Sequence, residues 1–262
     1  METITINEKE TLSIHLGRLI VHVRKDIDEI RYAHEYTDVE KEKFTYTYRK
    51  KLRNSDDLDW TRCILGKEYT RLELVPVMPD RPVVVRPQLA VQVPQKKTTS
   101  FYVGIFVWLK IFGVYKSSKL QICEFPTVKL SKTWFGDNES GEICYILRTQ
   151  AIRDKDKTTP TFFHATCPVH VTNNSEGMLD FARICLHVEY LTLYSDGKRL
   201  WGNAARVLYK GIDQISQINL SNTSPREAAN CTKVSGPRMT AAPSIVKRSF
   251  YFLKYLTGLL YA

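Results

Sequence analysis

Thr11-Leu12-Ser13-Ile14-His15-Leu16-Gly17-Arg18-Leu19-Ile20-Val21-His22-Val23 is the stretch that decides the fold class. Leu12, Ile14 and Leu16 alternate with Ser13 and His15. After a turn expected at Gly17, Leu19, Val21 and Val23 again line one face. A period of two sends successive side chains to opposite faces, as a half-buried antiparallel strand requires. Phe44, Tyr46 and Tyr48 alternate with Thr45, Thr47 and Arg49 in the same way. The expectation there is that Tyr46 and Tyr48 pack inward while the neighbouring charges stay in solvent.

Further along, Pro76, Pro79, Pro82, Pro87 and Pro94 punctuate the chain, with Val83-Val84-Val85 and Leu89-Ala90-Val91 between them. Proline cannot donate to a ladder, so these pieces read as edge strands or short strands. Phe101 to Phe112 is apolar on both faces, the character of a strand covered on both sides where two lobes meet. Lys116-Ser117-Ser118-Lys119 follows and is the candidate domain boundary. In the second half, Phe181–Tyr194 reads as one strand, and Ser195-Asp196-Gly197 as the tight turn into Leu200–Tyr209. Short strands at regular spacing predict a mainly β, antiparallel fold of two β-sandwich-like lobes, plus a C-terminal arm and short helix. The lobes would be 1–118 and 119–220, and the arm and helix 221–262.

Composition narrows the class of object. The 262 residues are 43% hydrophobic and 25% charged, which are globular values. Lys plus Arg outnumber Asp plus Glu by 38 to 28, for a net charge of +10. Such an excess suits an anionic partner or serves solubility alone. The opening Met-Glu-Thr-Ile-Thr-Ile is no secretory leader, and the most apolar stretch, Phe101 to Tyr115, is too short to span a bilayer. A cytoplasmic protein is therefore expected, and its six scattered cysteines read as free, mostly buried thiols.

Several strings carry a resemblance. They are Pro79–Pro87, Ser100–Trp108, Pro126–Asp137, Cys167–Ser175, Leu186–Tyr194 and Arg199–Asn203. Together they resemble an uncharacterised, largely archaeal family, domain of unknown function family 432, over most of the chain up to Gln217. The resemblance implies no activity and no catalytic residues. It does suggest a membrane neighbour, because members are often encoded beside small mechanosensitive channels. Phe106 stands where the family pattern has proline, and Gly202-Asn203-Ala204 where it has a more polar run.

Residues with chemistry are few. Cys185, His187 and Glu189 fall on one strand face at i, i+2 and i+4, where a histidine could activate a thiol and a carboxylate could orient the ring. Residues two apart on a strand are nearly 7 Å apart, so a plain polar face is the competing reading. His164, Cys167 and His170, with Cys185 and His187 across a hairpin, offer zinc-type donors without any close cysteine pair. Asp56, Asp57 and Asp59 read as a solvated loop rather than a calcium site. Tyr46, Tyr48, Arg49, Lys50, Lys51 and Arg53 come closest to a nucleic-acid platform. Phosphate-loop, dinucleotide-turn and nucleophile-elbow motifs are lacking.

The expectation is therefore no enzyme, no cofactor and no metal, but a protein-binding module whose partner the resemblance suggests is a membrane channel. Nucleic-acid binding is the alternative. Ile245–Ala262 reads as an apolar helix, with Phe250, Leu253, Leu256 and Leu260 at helical spacing and Lys247, Arg248 and Lys254 among them. The segment either packs onto the protein's own sandwich, completing its core, or makes those four apolar residues partner-binding or membrane-surface contacts.

Overall fold

Strands carry the fold from Glu2 to Tyr251 in a computed structural model, which describes residues 2–52, 55–136, 139, 141–149, 152–158, 160–181, 183–211, 217–221, 223–228, 230–240, 245–246 and 250–251. The first strands are β1 (Glu2–Thr5), β2 (Thr11–Lys25), β3 (Glu29–Arg49), β4 (Thr61–Ile64), β5 (Arg71–Val77), β6 (Val83–Pro87), β7 (Val91–Val93) and β8 (Thr98–Phe106). Next come β9 (Trp108–Tyr115), β10 (Ser118–Pro126), β11 (Lys132–Phe135), β12 (Glu142–Thr149), β13 (His164–Asn173), β14 (Leu179–Phe181) and β15 (Arg183–Leu186). The last are β16 (Leu193–Ser195), β17 (Leu200–Gly202), β18 (Ala205–Tyr209), β19 (Gln217–Leu220), β20 (Thr232–Ser235), β21 (Ile245–Val246) and β22 (Phe250–Tyr251). The mainly β class holds. Most ladders are antiparallel, and β12–β6, β13–β17 and β13–β18 are parallel.

The chain divides into two units, each built from separated segments. Unit one is Met1–Val77, Phe106–Lys129 and Thr161–Phe163. Its sheets run β1-β5-β9-β10 and β2-β3-β4, with a shared core that includes Leu12, Ile14, Leu19, Val21, Leu72, Leu109 and Ile111. Unit two holds the sheet β11-β12-β6-β15-β22, the pair β14-β7 and the sheet β20-β16-β17-β13-β18-β19-β21. The expected division near residue 118 falls inside unit one. Lys116 has φ +50° and makes the tight turn of the β9–β10 hairpin, so the polar Lys-Ser-Ser-Lys run is a turn and not a linker. The chain instead passes from unit two to unit one between Ile105 and Phe106, next to Val107, where the long apolar stretch breaks into β8 and β9.

Other expectations are corrected too. Gly17 does not turn the chain, because β2 runs through it with slips in register on either side. Its φ is +61°, and an added Cβ would lie 3.1 Å from the Phe163 ring, so this is a bulge that only glycine fits. β6 is no edge strand, being central between β12 and β15 with Val83, Val84 and Val85 buried. Tyr46 and Tyr48 pair with the buried Ile14 and Leu12 yet are 45% and 37% exposed. Tyr48 still reaches the facing sheet, donating its hydroxyl to the Thr5 carbonyl of β1.

The expected C-terminal helix is corrected at the four of its residues that are described. Ile245–Val246 pairs antiparallel with β19, and Phe250–Tyr251 with β15. β-branched and aromatic residues favour the extended form, and the two sheet edges offer backbone partners that a helix could not use. Phe250 is thus a strand residue opposite Ile184. Leu253, Leu256 and Leu260 lie outside the described residues.

Candidate functional site

The Phe181–Tyr194 segment is not one strand, and its break makes the site. β15 ends at Leu186, and Val188–Tyr190 forms a turn of 3-10 helix. His187 stands at the junction with φ −80° and ψ 73°. In a straight strand Glu189 would stay nearly 7 Å from His187. The turn folds it back, so that His187 Nδ1 lies 3.2 Å from Glu189 Oε1. The backbone carbonyl of Glu189 is pinned in turn by the Arg238 and Met239 amides, at 2.9 and 3.1 Å.

Two further residues join from β12. Cys144 Sγ lies 3.9 Å from Cys185 Sγ, within a small core with Val84 and Phe135. Glu142, two residues earlier on the same strand, brings Oε1 to 3.6 Å from His187 Nε2. One donor atom each from Glu142, Cys185 and His187 lie within 4.8 Å of one another. Cys144 and Cys185 are fully buried, and His187 and Glu189 nearly so. The Glu142 side chain is 32% exposed and forms the mouth. His187 Nε2 and Glu189 Oε2 are buried without a hydrogen-bond partner.

This geometry does not favour a cysteine nucleophile. Contact with the Cys144 thiol, burial and the Glu142 and Glu189 carboxylates push the Cys185 thiol well above its ordinary range. A nucleophile needs an accessible thiolate, and Cys185 offers a neutral, enclosed sulfur.

The other sequence candidates are dispersed. Among the described residues, His164, Cys167 and His170 form no common donor cluster. Burial lowers the His164 pKa to about 4 and raises that of Cys167 to about 12. Cys167 packs against Gly202, where an added Cβ would come within 2.5 Å of the sulfur. His170 accompanies Ser100, whose Oγ is 2.8 Å from Nδ1, beside a cleft of about 540 Å³ lined also by Thr98, Thr172 and Arg206. Asp56 and Asp57 sit exposed in a single 3-10 turn. All six cysteines are free, with Cys63 and Cys231 partly exposed. Gly202, Asn203 and Ala204 are buried, so the departure from the family pattern there is not a surface change.

One constellation was missed in the sequence. Ser13 Oγ lies 2.9 Å from His22 Nδ1, and His22 Nε2 lies 3.0 Å from Glu35 Oε1. The order resembles a hydrolytic triad, but the exposure is inverted. Ser13 is buried while the Glu35 side chain is 49% exposed. A hydroxyl shut inside a sheet meets no substrate, so this relay satisfies buried polar groups.

The sequence matches the family described as protein of unknown function (DUF432) over residues 2–254. The chain belongs to that family. No curated protein and no solved structure matches. Membership brings no activity with it, so the function of this family member has to be argued from its own surfaces.

Proposed function

We propose that the protein is a non-enzymatic binding module that takes a protein partner on the free edge of β3. The observation that carries this reading is the pairing of β3. β2 lines one side along its length, whereas β4 covers only Glu29–Tyr32 on the other. Beyond Tyr32, among the described residues, the outer edge has no strand beside it. An edge with free backbone groups is a template for an added strand. Tyr46 and Tyr48 stand at the rim beside it, their rings 6.0 Å apart, and Val39 is 63% exposed. Exposed aromatics beside a free edge give such a partner both backbone pairing and side-chain anchors. A cytoplasmic segment of a membrane channel would fit this reading.

Nucleic acid is the second reading, and a cleft of about 400 Å³ lined by Arg24, Arg31, Lys50, Lys51 and Trp60 favours it. Two of these charges are already countered. Arg31 holds Glu29 at 2.7 Å, and both arginines approach Asp26. Arg53 lies outside the described residues. Capture from host lysate by the wild type and by Tyr46→Ser/Tyr48→Ser separates the readings. A protein retained after nuclease, at about 0.1 M and about 0.5 M salt alike, and lost with the double variant supports the first. Capture that disappears with nuclease or falls steeply with salt supports nucleic acid.

A further inference from the structure

The geometry points to a divalent-metal site of the zinc class held by Glu142, Cys185 and His187, with Glu189 orienting the histidine. The elements are independent in sequence. β12 supplies the carboxylate, the C-terminal end of β15 the sulfur, and the break before the 3-10 turn the imidazole. Three donors of the types zinc prefers converge where no motif spacing announced them.

The imidazole is the decisive group. In the tautomer whose Nδ1–H donates to Glu189 Oε1, Nε2 carries the lone pair and lies 3.6 Å from Glu142 Oε1. Two acceptors then face each other at 3.6 Å, too far for a hydrogen bond, and Nε2 is buried with no hydrogen-bond partner. A cation between them gives the partnerless Nε2 a bond and adds one to the carboxylate. Metal-bound histidines characteristically give their second N–H to a carboxylate, the part Glu189 plays here. Bond lengths of about 2.0–2.3 Å put tetrahedral donor separations at about 3.3–3.8 Å. The 3.6 Å found between Nε2 and Oε1 is inside that range, and the cluster as a whole needs only a modest contraction.

Cys144 adds sulfur beside the site without competing for it. β12 and β15 are separated by β6, so their backbones are two strand spacings apart, about 9.5 Å. Disulfides need Cα atoms within about 7 Å, so the two thiols stay reduced and available as donors. Glu142 at the mouth gives the ion a way in. With Cys185 fully enclosed, the site is suited to tying β12 to the end of β15 and not to turning over a substrate.

The test uses the full chain, stripped with chelator and titrated with Co²⁺ and then Zn²⁺. The expected result is a near-ultraviolet thiolate-to-cobalt band that saturates at about one equivalent and is bleached by zinc. Cys185→Ser and His187→Ala should abolish the band, and zinc should raise the Tm of the wild type alone. Glu189→Gln should keep the band and bind about 10–100-fold more weakly. Wild-type protein that is folded by circular dichroism yet gives no thiolate band and no Tm shift would overturn the proposal. So would a full-strength band in both Cys185→Ser and Glu142→Gln. The wild-type titration stands even where a variant fails to fold.

Discussion

His164 is held neutral by its surroundings, and that has a sign that can be measured. Burial lowers its pKa to about 4 from an ordinary value of 6.5. Below pH 6.5 the unfolded chain takes up a proton that the native state refuses. Its contribution to stability is therefore complete above pH 6.5 and is lost as pH falls towards 4, by at most about 3 kcal/mol. Urea melts across that window should show a steeper loss for wild type than for His164→Gln. Equal slopes would show that His164 does not carry the effect. Gly202 offers a steric test at the same scale. Its added Cβ would meet Cys167 Sγ at 2.5 Å and Met78 Cε at 2.9 Å. Gly202→Ala should cost about 1–3 kcal/mol, and Cys167→Ala should relieve part of that in the double variant. Strict additivity of the two changes would contradict the close approach.

Among the elements, the alternation at Leu12–Val23 and Phe44–Arg49 was legible because a period of two survives whatever the partner strand is. Where strands end was less legible. Cys185, His187 and Glu189 could be named as a group, but the turn that joins His187 to Glu189 was hidden in a run that alternates as a strand does. Glu142 and Cys144 were missed because their meeting with Cys185 and His187 depends on β6 pairing with both β12 and β15, a register no local pattern encodes. The one available signal was Glu142-Ile143-Cys144, which sets two donors on one strand face. Residues 245–246 and 250–251 were misread as helical because Phe250, Leu253 and Leu256 fit a helical period, while their pairing with β19 and β15 is long-range. A chain ending at Ser244 loses both pairings. It should melt about 2–8 °C lower, by circular dichroism, for a loss of about 1–2 kcal/mol. An unchanged Tm would show that these strands contribute nothing.

For the whole molecule, the chain forms two compact units, and neither is a continuous half of the sequence. Residues 106–129 and 161–163 return to a unit begun by the first 77, and sequence periodicity carries no trace of such returns. The functional reading rests on what unit one leaves unfinished. β3 is 21 residues long, and among the described residues only its first four find a strand on the outer side. Tyr48 also donates its hydroxyl to the Thr5 carbonyl, so Tyr46→Ser/Tyr48→Ser should cost about 1–2 kcal/mol, leave the chain folded and lose the partner. The most direct measurement is amide hydrogen exchange along β3 in the free chain and in the complex recovered from the host. The account predicts that β2 amides are slow in both states, and that outer-edge amides between Val39 and Arg49 exchange quickly when free and become protected on binding. Protection that appears elsewhere, with β3 unchanged, would contradict it.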